Sequence, residues 1–412
     1  MQNMNFRKVW LGCIVGMISA TVMGQSIQQG PWKGSLVRTD GKIIPFHFDV
    51  KTEKNKTVIY IINASERLKV DKITRIKDSL IIEMPVFESV FRVKINSSGN
   101  WSGKWIKGGS LRQQVMPFYA QVQSSLPMET IKPAAADISG RWALSFTAGD
   151  ELSRPAVGEW QQKGYTLRGT IMTPTGDYRF LSGVFDGDSL RLSTFDGAHA
   201  LLFTAKVNSD HQISGGTYYS GATHAEPWIG VKDPKASLPD VAAMYLKEGE
   251  ERLNFRFQDL NKKWVSINDP KFRNKVVIIQ IMGSWCPNCM DETAFLSDFY
   301  NHNRQRGVEV IGLAYEYSTD FERSRRSIQK FKDRFNVQYT LLNTGVTVSD
   351  TLRTEKTLPQ LTRIKSFPST IVLDKKGRVR KLHAGFEGPG TGVHYEEFKK
   401  EFGMEIEGLL RE

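Results

Sequence analysis

The sequence predicts a multidomain chain: two all-β units, antiparallel sandwiches or small barrels, followed by an α/β domain. Three observations lead there. From residue 25 to about 230 the chain runs in short alternating apolar and polar stretches broken by Gly, Asn and Asp turns, with almost no helical periodicity. Within that region the pattern recurs at an offset of about 110 residues. Beyond it, apolar strand-like runs alternate with helical spacing, which is the signature of βαβ units.

The repeat is carried by matched segments. Pro31-Trp32-Lys33-Gly34-Ser35-Leu36 matches Gly140-Arg141-Trp142-Ala143-Leu144-Ser145. Asp78-Ser79-Leu80-Ile81-Ile82, leading to Gly99-Asn100-Trp101-Ser102-Gly103, matches Asp188-Ser189-Leu190-Arg191-Leu192, leading to Ile213-Ser214-Gly215. A period this long points to duplicated domains rather than a solenoid. The expected boundaries are 25–125 and 137–232, split by a Pro/Ala-rich stretch at 126–137, with a linker at 232–240 and the α/β domain over 238–412.

Composition sets bounds on function. The chain has 412 residues, 40% hydrophobic and 24% charged, ordinary values for a folded globular protein with ample core. Its formal net charge is +12, with Lys and Arg scattered, as in Arg323-Ser324-Arg325-Arg326 and Lys375-Lys376. That suits a solvated basic surface, and no nucleic-acid-binding module accompanies it.

Residues 1–24 read as a cleavable signal peptide: Arg7 and Lys8 precede an apolar run and a small-residue site at Val22-Met23-Gly24. The expected location is therefore extracytoplasmic, in a periplasm or cell envelope. Left uncleaved, the same segment would tether the chain to a membrane through its N-terminus. Of the three cysteines, Cys13 lies inside this segment, too early for a lipoprotein site, so the mature chain would keep only Cys286 and Cys289.

Those two carry the chemistry. The run Val276–Met282 is apolar almost throughout, as in a strand buried on both faces of a parallel sheet. Gly283-Ser284-Trp285 turns the chain, and Cys286-Pro287-Asn288-Cys289 opens a helical pattern. With Cys286 as N-cap, Pro287 falls at the first helical position, where its missing N–H costs nothing. The helix N-terminus then favours a thiolate on Cys286, and Cys289, one turn on, can attack a mixed disulfide formed there. A structural disulfide would close too small a loop to matter, a zinc site lacks two further ligands, and a c-type haem site lacks His after the second Cys, where Met290 stands. A dithiol/disulfide switch needing no bound cofactor or metal is the reading that remains.

The stretch from Leu238 to the C-terminus resembles the thioredoxin superfamily, and within it the extracytoplasmic thiol–disulfide oxidoreductases of the TlpA/ResA type. The resemblance rests on a lead-in, Phe255-Arg256-Phe257-Gln258-Asp259-Leu260 through Trp264-Val265-Ser266, on Gly-Ser-Trp-Cys-Pro-Asn-Cys, and on Phe367-Pro368-Ser369-Thr370 as a cis-proline loop. It implies that Cys286 and Cys289 form the redox-active disulfide, that Trp285, Pro287 and Pro368 shape the groove, and that the substrate is a protein disulfide, with electrons from an upstream dithiol donor. Two departures stand out. Asn288 replaces the Pro common before the second Cys, and Gln280 occupies the position where cytoplasmic thioredoxins bury an acid. Glu316, after the strand expected over 308–315, is the candidate replacement proton relay, against the plainer reading of a solvated loop carboxylate.

Two other functional readings are open at this point. One is a thiol peroxidase on the same fold, whose activating Thr and Arg pattern the turn before Cys286 lacks. The other is a ligand-binding β module with an attached reductant. The second β unit concentrates polar groups at strand ends: Thr173-Pro174-Thr175-Gly176-Asp177-Tyr178, Phe195-Asp196-Gly197-Ala198-His199 and His224-Ala225-Glu226-Pro227-Trp228. These suit turn chemistry, a loop-built docking cleft, or a metal site on His199, His224 and an acid.

Overall fold

The computed structural model describes residues 27–109, 113–123, 131–147, 154–208, 211–240 and 243–412. The segment read as a signal peptide, Cys13 included, lies outside the described residues, as does part of the stretch at 126–137.

Alternation of buried and exposed residues drives the first β unit, as in Gly30–Val37, where Trp32, Gly34 and Leu36 face inward. Its nine strands pair antiparallel with their neighbours along the chain, and the last, Gln114–Val122, returns to pair with the first. The ladder is interrupted only between Glu66–Val70 and Lys72–Ile76. The second unit goes further. Eight of its nine strands close a complete ring from Gly140–Phe146 round to His224–Lys232, with the short Gly176–Asp177 strand appended. The second unit is thus a closed barrel, a form that removes exposed strand edges, and the first is a barrel open along one seam.

The two barrels open in the same way. Gly30 and Gly140 both hold φ of +107°, a conformation that only glycine adopts freely. Two residues on, each Trp is fully buried and donates its indole N–H four residues back, Trp32 to the Gln28 carbonyl at 3.1 Å and Trp142 to Ile138 at 2.9 Å. The barrels also share a boundary: Phe195 of the second stacks on Phe46 of the first at 4.5 Å, and Asn63 exchanges two hydrogen bonds with the Phe195 backbone. The segment at 232–240 is not a free linker. Ala236 packs against Val157 and Met172 of the second barrel, and its carbonyl accepts from Arg141 at 2.7 Å.

The C-terminal domain is a seven-stranded sheet in the order Trp264–Ser266, Arg256–Asp259, Thr340–Asn343, Val308–Ala314, Val276–Met282, Ser369–Leu373, Val379–Ala384. The three strands 340–343, 308–314 and 276–282 run parallel, and the final hairpin is antiparallel. Every residue of Val276–Met282 is buried, because the pleat sends alternate side chains into two separate layers. Val276, Ile278 and Met282 meet helices α1 (Pro287–Asn303), α2 (Phe321–Arg334) and α4 (Val393–Arg411). Val277, Ile279 and Ile281 meet Leu358, Leu361 and Ile364, which follow the short helix α3 (Arg353–Thr357). The segment 346–365 therefore covers one face of the sheet.

Candidate active site

The strand Val276–Met282 delivers the chain to the carboxyl edge of the sheet, and the next three residues turn it into α1. Gly283 is required by crowding: a Cβ there would lie 2.1 Å from the Trp285 indole nitrogen. Trp285 is pinned by its N–H to the Tyr315 carbonyl at 2.8 Å, by stacking on Tyr317 and by an edge contact with Phe367.

Cys286 is the N-cap of α1 and Pro287 its first residue. The Cys286 sulfur accepts the Cys289 backbone N–H at 3.3 Å and, as a thiol, donates to the Phe367 carbonyl at 3.4 Å. The Phe367–Pro368 bond is cis, and Pro368 is buried against the site. Both cysteines are free thiols. They are not equivalent: Cys286 is 5% exposed and Cys289 is wholly buried. Burial pushes the Cys289 thiol well above its ordinary range, reinforced by Cys286 beside it.

Beneath the pair lies a buried polar cluster. Gln280 donates to the Cys289 carbonyl at 3.4 Å and accepts from Thr293 at 3.1 Å. Glu292, three residues after Cys289 on α1, accepts from the Thr370 hydroxyl at 2.5 Å through Oε1, while its Oε2 is buried with no hydrogen-bond partner. Burial raises its pKa to about 7, and its charge adds to the upward shift of Cys289. Glu292 was missed by sequence reasoning, which looked for an acid six residues before Cys286 or on Glu316. Its signal was available: a carboxylate one helical turn past Cys289 shares that residue's face.

Glu316 is not a solvated loop carboxylate. It is 4% exposed, and both oxygens are occupied by Ser284, the backbone N–H at 2.9 Å and the hydroxyl at 2.6 Å. Burial raises it to about 7 as well. Its contacts hold the turn that carries Trp285.

The second barrel reaches the motif directly. Asp177 accepts from the Asn288 side chain at 3.2 Å and from the Gly388 N–H at 2.8 Å. Arg179 grips Asp291 of α1 with two hydrogen bonds, 2.7 and 2.8 Å, and Glu66 of the first barrel at 2.6 Å. His199 lies 3.5 Å from Asp196, whereas His224 is more than half exposed and pairs with Glu226 at 3.8 Å. Among the described residues no three His, Cys, Asp or Glu side chains converge as metal ligands.

Residues 247–398 match the Redoxin family model. The chain is 24% identical over 140 residues to the thiol-disulfide oxidoreductase ResA of Halalkalibacterium halodurans, covering 34% of this chain and 69% of that protein. It is 23% identical to ResA of Bacillus subtilis over a stretch of the same length. The C-terminal region is a thioredoxin-superfamily domain of the ResA/TlpA type. Among solved structures, the thioredoxin domain of a thiol-disulfide oxidoreductase from Bacteroides vulgatus is 22% identical and covers 37% of this chain and 99% of that one, with a TM-score of 0.27. A thiol:disulfide interchange protein from Chlorobium tepidum is 16% identical, covers 39% and 95%, and has a TM-score of 0.29.

Proposed function

We propose that the protein is a thiol–disulfide oxidoreductase that reduces disulfides by exchange through Cys286 and Cys289. One observation carries the assignment of roles: Cys286 caps α1 and keeps 5% of its surface exposed, while Cys289 is sealed one turn behind with its proton held by burial. Cys286 is the attacking sulfur. Its bond to a substrate sulfur releases the first substrate thiol, and Cys289 then attacks Cys286 to release the second. Glu292, poised near neutrality with an unpartnered oxygen, accepts the proton that Cys289 must lose. Trp285, Pro287 and Pro368 frame the sulfur. An upstream dithiol returns the two electrons.

The pattern of residues 1–24 supports an extracytoplasmic setting, which N-terminal sequencing of the mature protein would test. The exchange reading is tested with reduced full-length protein and a disulfide substrate. Cys286→Ser should lose exchange altogether, and Cys289→Ser should accumulate a mixed disulfide visible on a non-reducing gel. Full exchange by both variants would overturn the assignment. Alkylation of the pair in dithiol and glutathione buffers gives the midpoint: roughly −250 mV or lower marks a reductant, roughly −120 mV an oxidant.

A further inference from the structure

The sulfur of Cys286 is walled in, and the walls differ. On one side Val86 and Phe87 of the first barrel and Ala198 of the second belong to the same packed cluster as Trp285 and Cys286. The space left there, beside Phe87, Lys107 and Trp285, is about 10 Å³, room for one water. On the other side lies a cavity of about 570 Å³ in the mouth of the second barrel. Phe146, Tyr178 and Tyr218 line its barrel side; Pro287, Asn288 and Phe367 line the other. Two of these bracket the reacting sulfur, since Pro287 follows Cys286 and the Phe367 carbonyl accepts from it. Such a volume falls in the range of small-ligand pockets, roughly 300–1,000 Å³.

One buried side chain in the wall has a nitrogen without a hydrogen bond. Arg179 is 5% exposed and holds a left-handed backbone, φ +57°, sparsely populated by non-glycine residues. Its Nε and Nη2 are taken by Asp291 and Glu66, while Nη1 has no hydrogen bond, the Asp196 carboxylate standing 3.9 Å away. An unsatisfied buried donor calls for an oxygen. With Glu66, Asp177, Asp196 and Asp291 already around one guanidinium, a neutral carbonyl suits the place better than a further carboxylate.

We propose that this cavity is the substrate subsite and that it takes a disulfide carried on a short, flexible peptide with an aromatic or apolar residue beside the cystine. The inference rests on the exchange reading above and adds the class of substrate. The apolar side chain lies among Phe146, Tyr178 and Tyr218, and a backbone carbonyl accepts from Arg179 Nη1. The cystine then meets Cys286 between Pro287 and Phe367. The Cys286 thiolate bonds to one peptide sulfur as the peptide S–S bond breaks, and the expelled thiolate takes up a proton. Cys289 gives up its proton, closes the Cys286–Cys289 disulfide and expels the second peptide thiol. Two electrons pass to the peptide, and an external dithiol restores them. A cavity of about 570 Å³ has room for a few peptide residues and none for a folded domain.

The test uses reduced full-length protein and three probes: a cyclic octapeptide closed by a cystine next to Phe, the same peptide with Glu in place of Phe, and an engineered surface disulfide on a folded domain. The Phe peptide should react at least ten-fold faster than either of the others. Thr175→Trp and Ser220→Trp, at residues that line the cavity outside the barrel core, should each raise KM for the Phe peptide at least ten-fold with the Cys286/Cys289 midpoint unchanged. Parental kinetics in both variants, or equal rates on all three probes, would overturn the subsite while leaving the exchange reading intact. Absence of any reversible couple in the parent protein would overturn both.

Discussion

Glu292 shows how much one buried carboxylate controls. Its raised pKa, about 7 against an ordinary 4.5, comes from burial, and Thr370 offsets only part of it. A carboxyl protonated more readily when folded than unfolded costs stability as pH rises from its unfolded pKa through its folded one. The penalty is absent near pH 4 and complete above pH 7, amounting to roughly 3 kcal/mol at 1.36 kcal/mol per pKa unit. Glu292→Gln should therefore gain stability at pH 8 and change little at pH 4.5, read by urea unfolding at both. On the proposed proton transfer from Cys289, it should also slow release of the mixed disulfide. A variant that is no more stable at pH 8 and resolves at the parental rate would remove Glu292 from both roles.

At the scale of elements, helix α1 is held from outside its own domain. Arg179 of the second barrel joins Asp291 on α1 to Glu66 of the first barrel, with almost no solvent to screen the charges. Removing one partner of a buried pair strands the others, a loss of roughly 3–5 kcal/mol. Arg179→Met should show that loss in urea unfolding, and adding Asp291→Leu should restore part of it, because the pair rather than the arginine is the unit. The strands of the second barrel carry a different constraint. A Cβ at Gly169 would lie 1.9 Å from the Glu159 carbonyl oxygen, so Gly169→Ala must shift a neighbouring strand and should cost upward of about 2 kcal/mol, measurable as a lowered Tm.

For the whole molecule, three acids point the same way. Asp177, Glu292 and Glu316 are all raised to about 7 by burial, and all lie at or beside the dithiol. Between about pH 4 and 7 the folded chain binds more protons than the unfolded one through these groups, so stability falls as pH rises across that window. Asp196, held at about 2, and the other lowered carboxylates act oppositely, but below about pH 4. Urea midpoints should peak on the acid side of neutrality and decline towards pH 8, and a profile rising through neutrality would contradict the burial seen at the three sites.

The strand–turn–helix carrying Cys286 and Cys289 was legible because its signals are local: an unbroken apolar run, a Gly turn, and Pro at the first helical position. The all-β character of the first half was legible from alternation, since period two reports one buried face whatever the partner strand is. What covers those faces was not. Leu358, Leu361 and Ile364 cover a face of the sheet, and their irregular segment has no periodicity to betray its burial. Glu316 read as either a proton relay or a solvated loop carboxylate, and its burial was hidden for the same reason. Asp177 and His199 were noticed as polar residues near strand ends, yet only barrel closure sets them around one cavity, and only the packing of that barrel on α1 brings Asp177 to Asn288 and Arg179 to Asp291. Sequence alone determined the local chemistry of the dithiol, because capping, turn geometry and helix polarity act over a few residues. Tertiary structure decided how the second barrel meets α1, Asp177 at Asn288 and Arg179 at Asp291, because those contacts join residues more than a hundred positions apart.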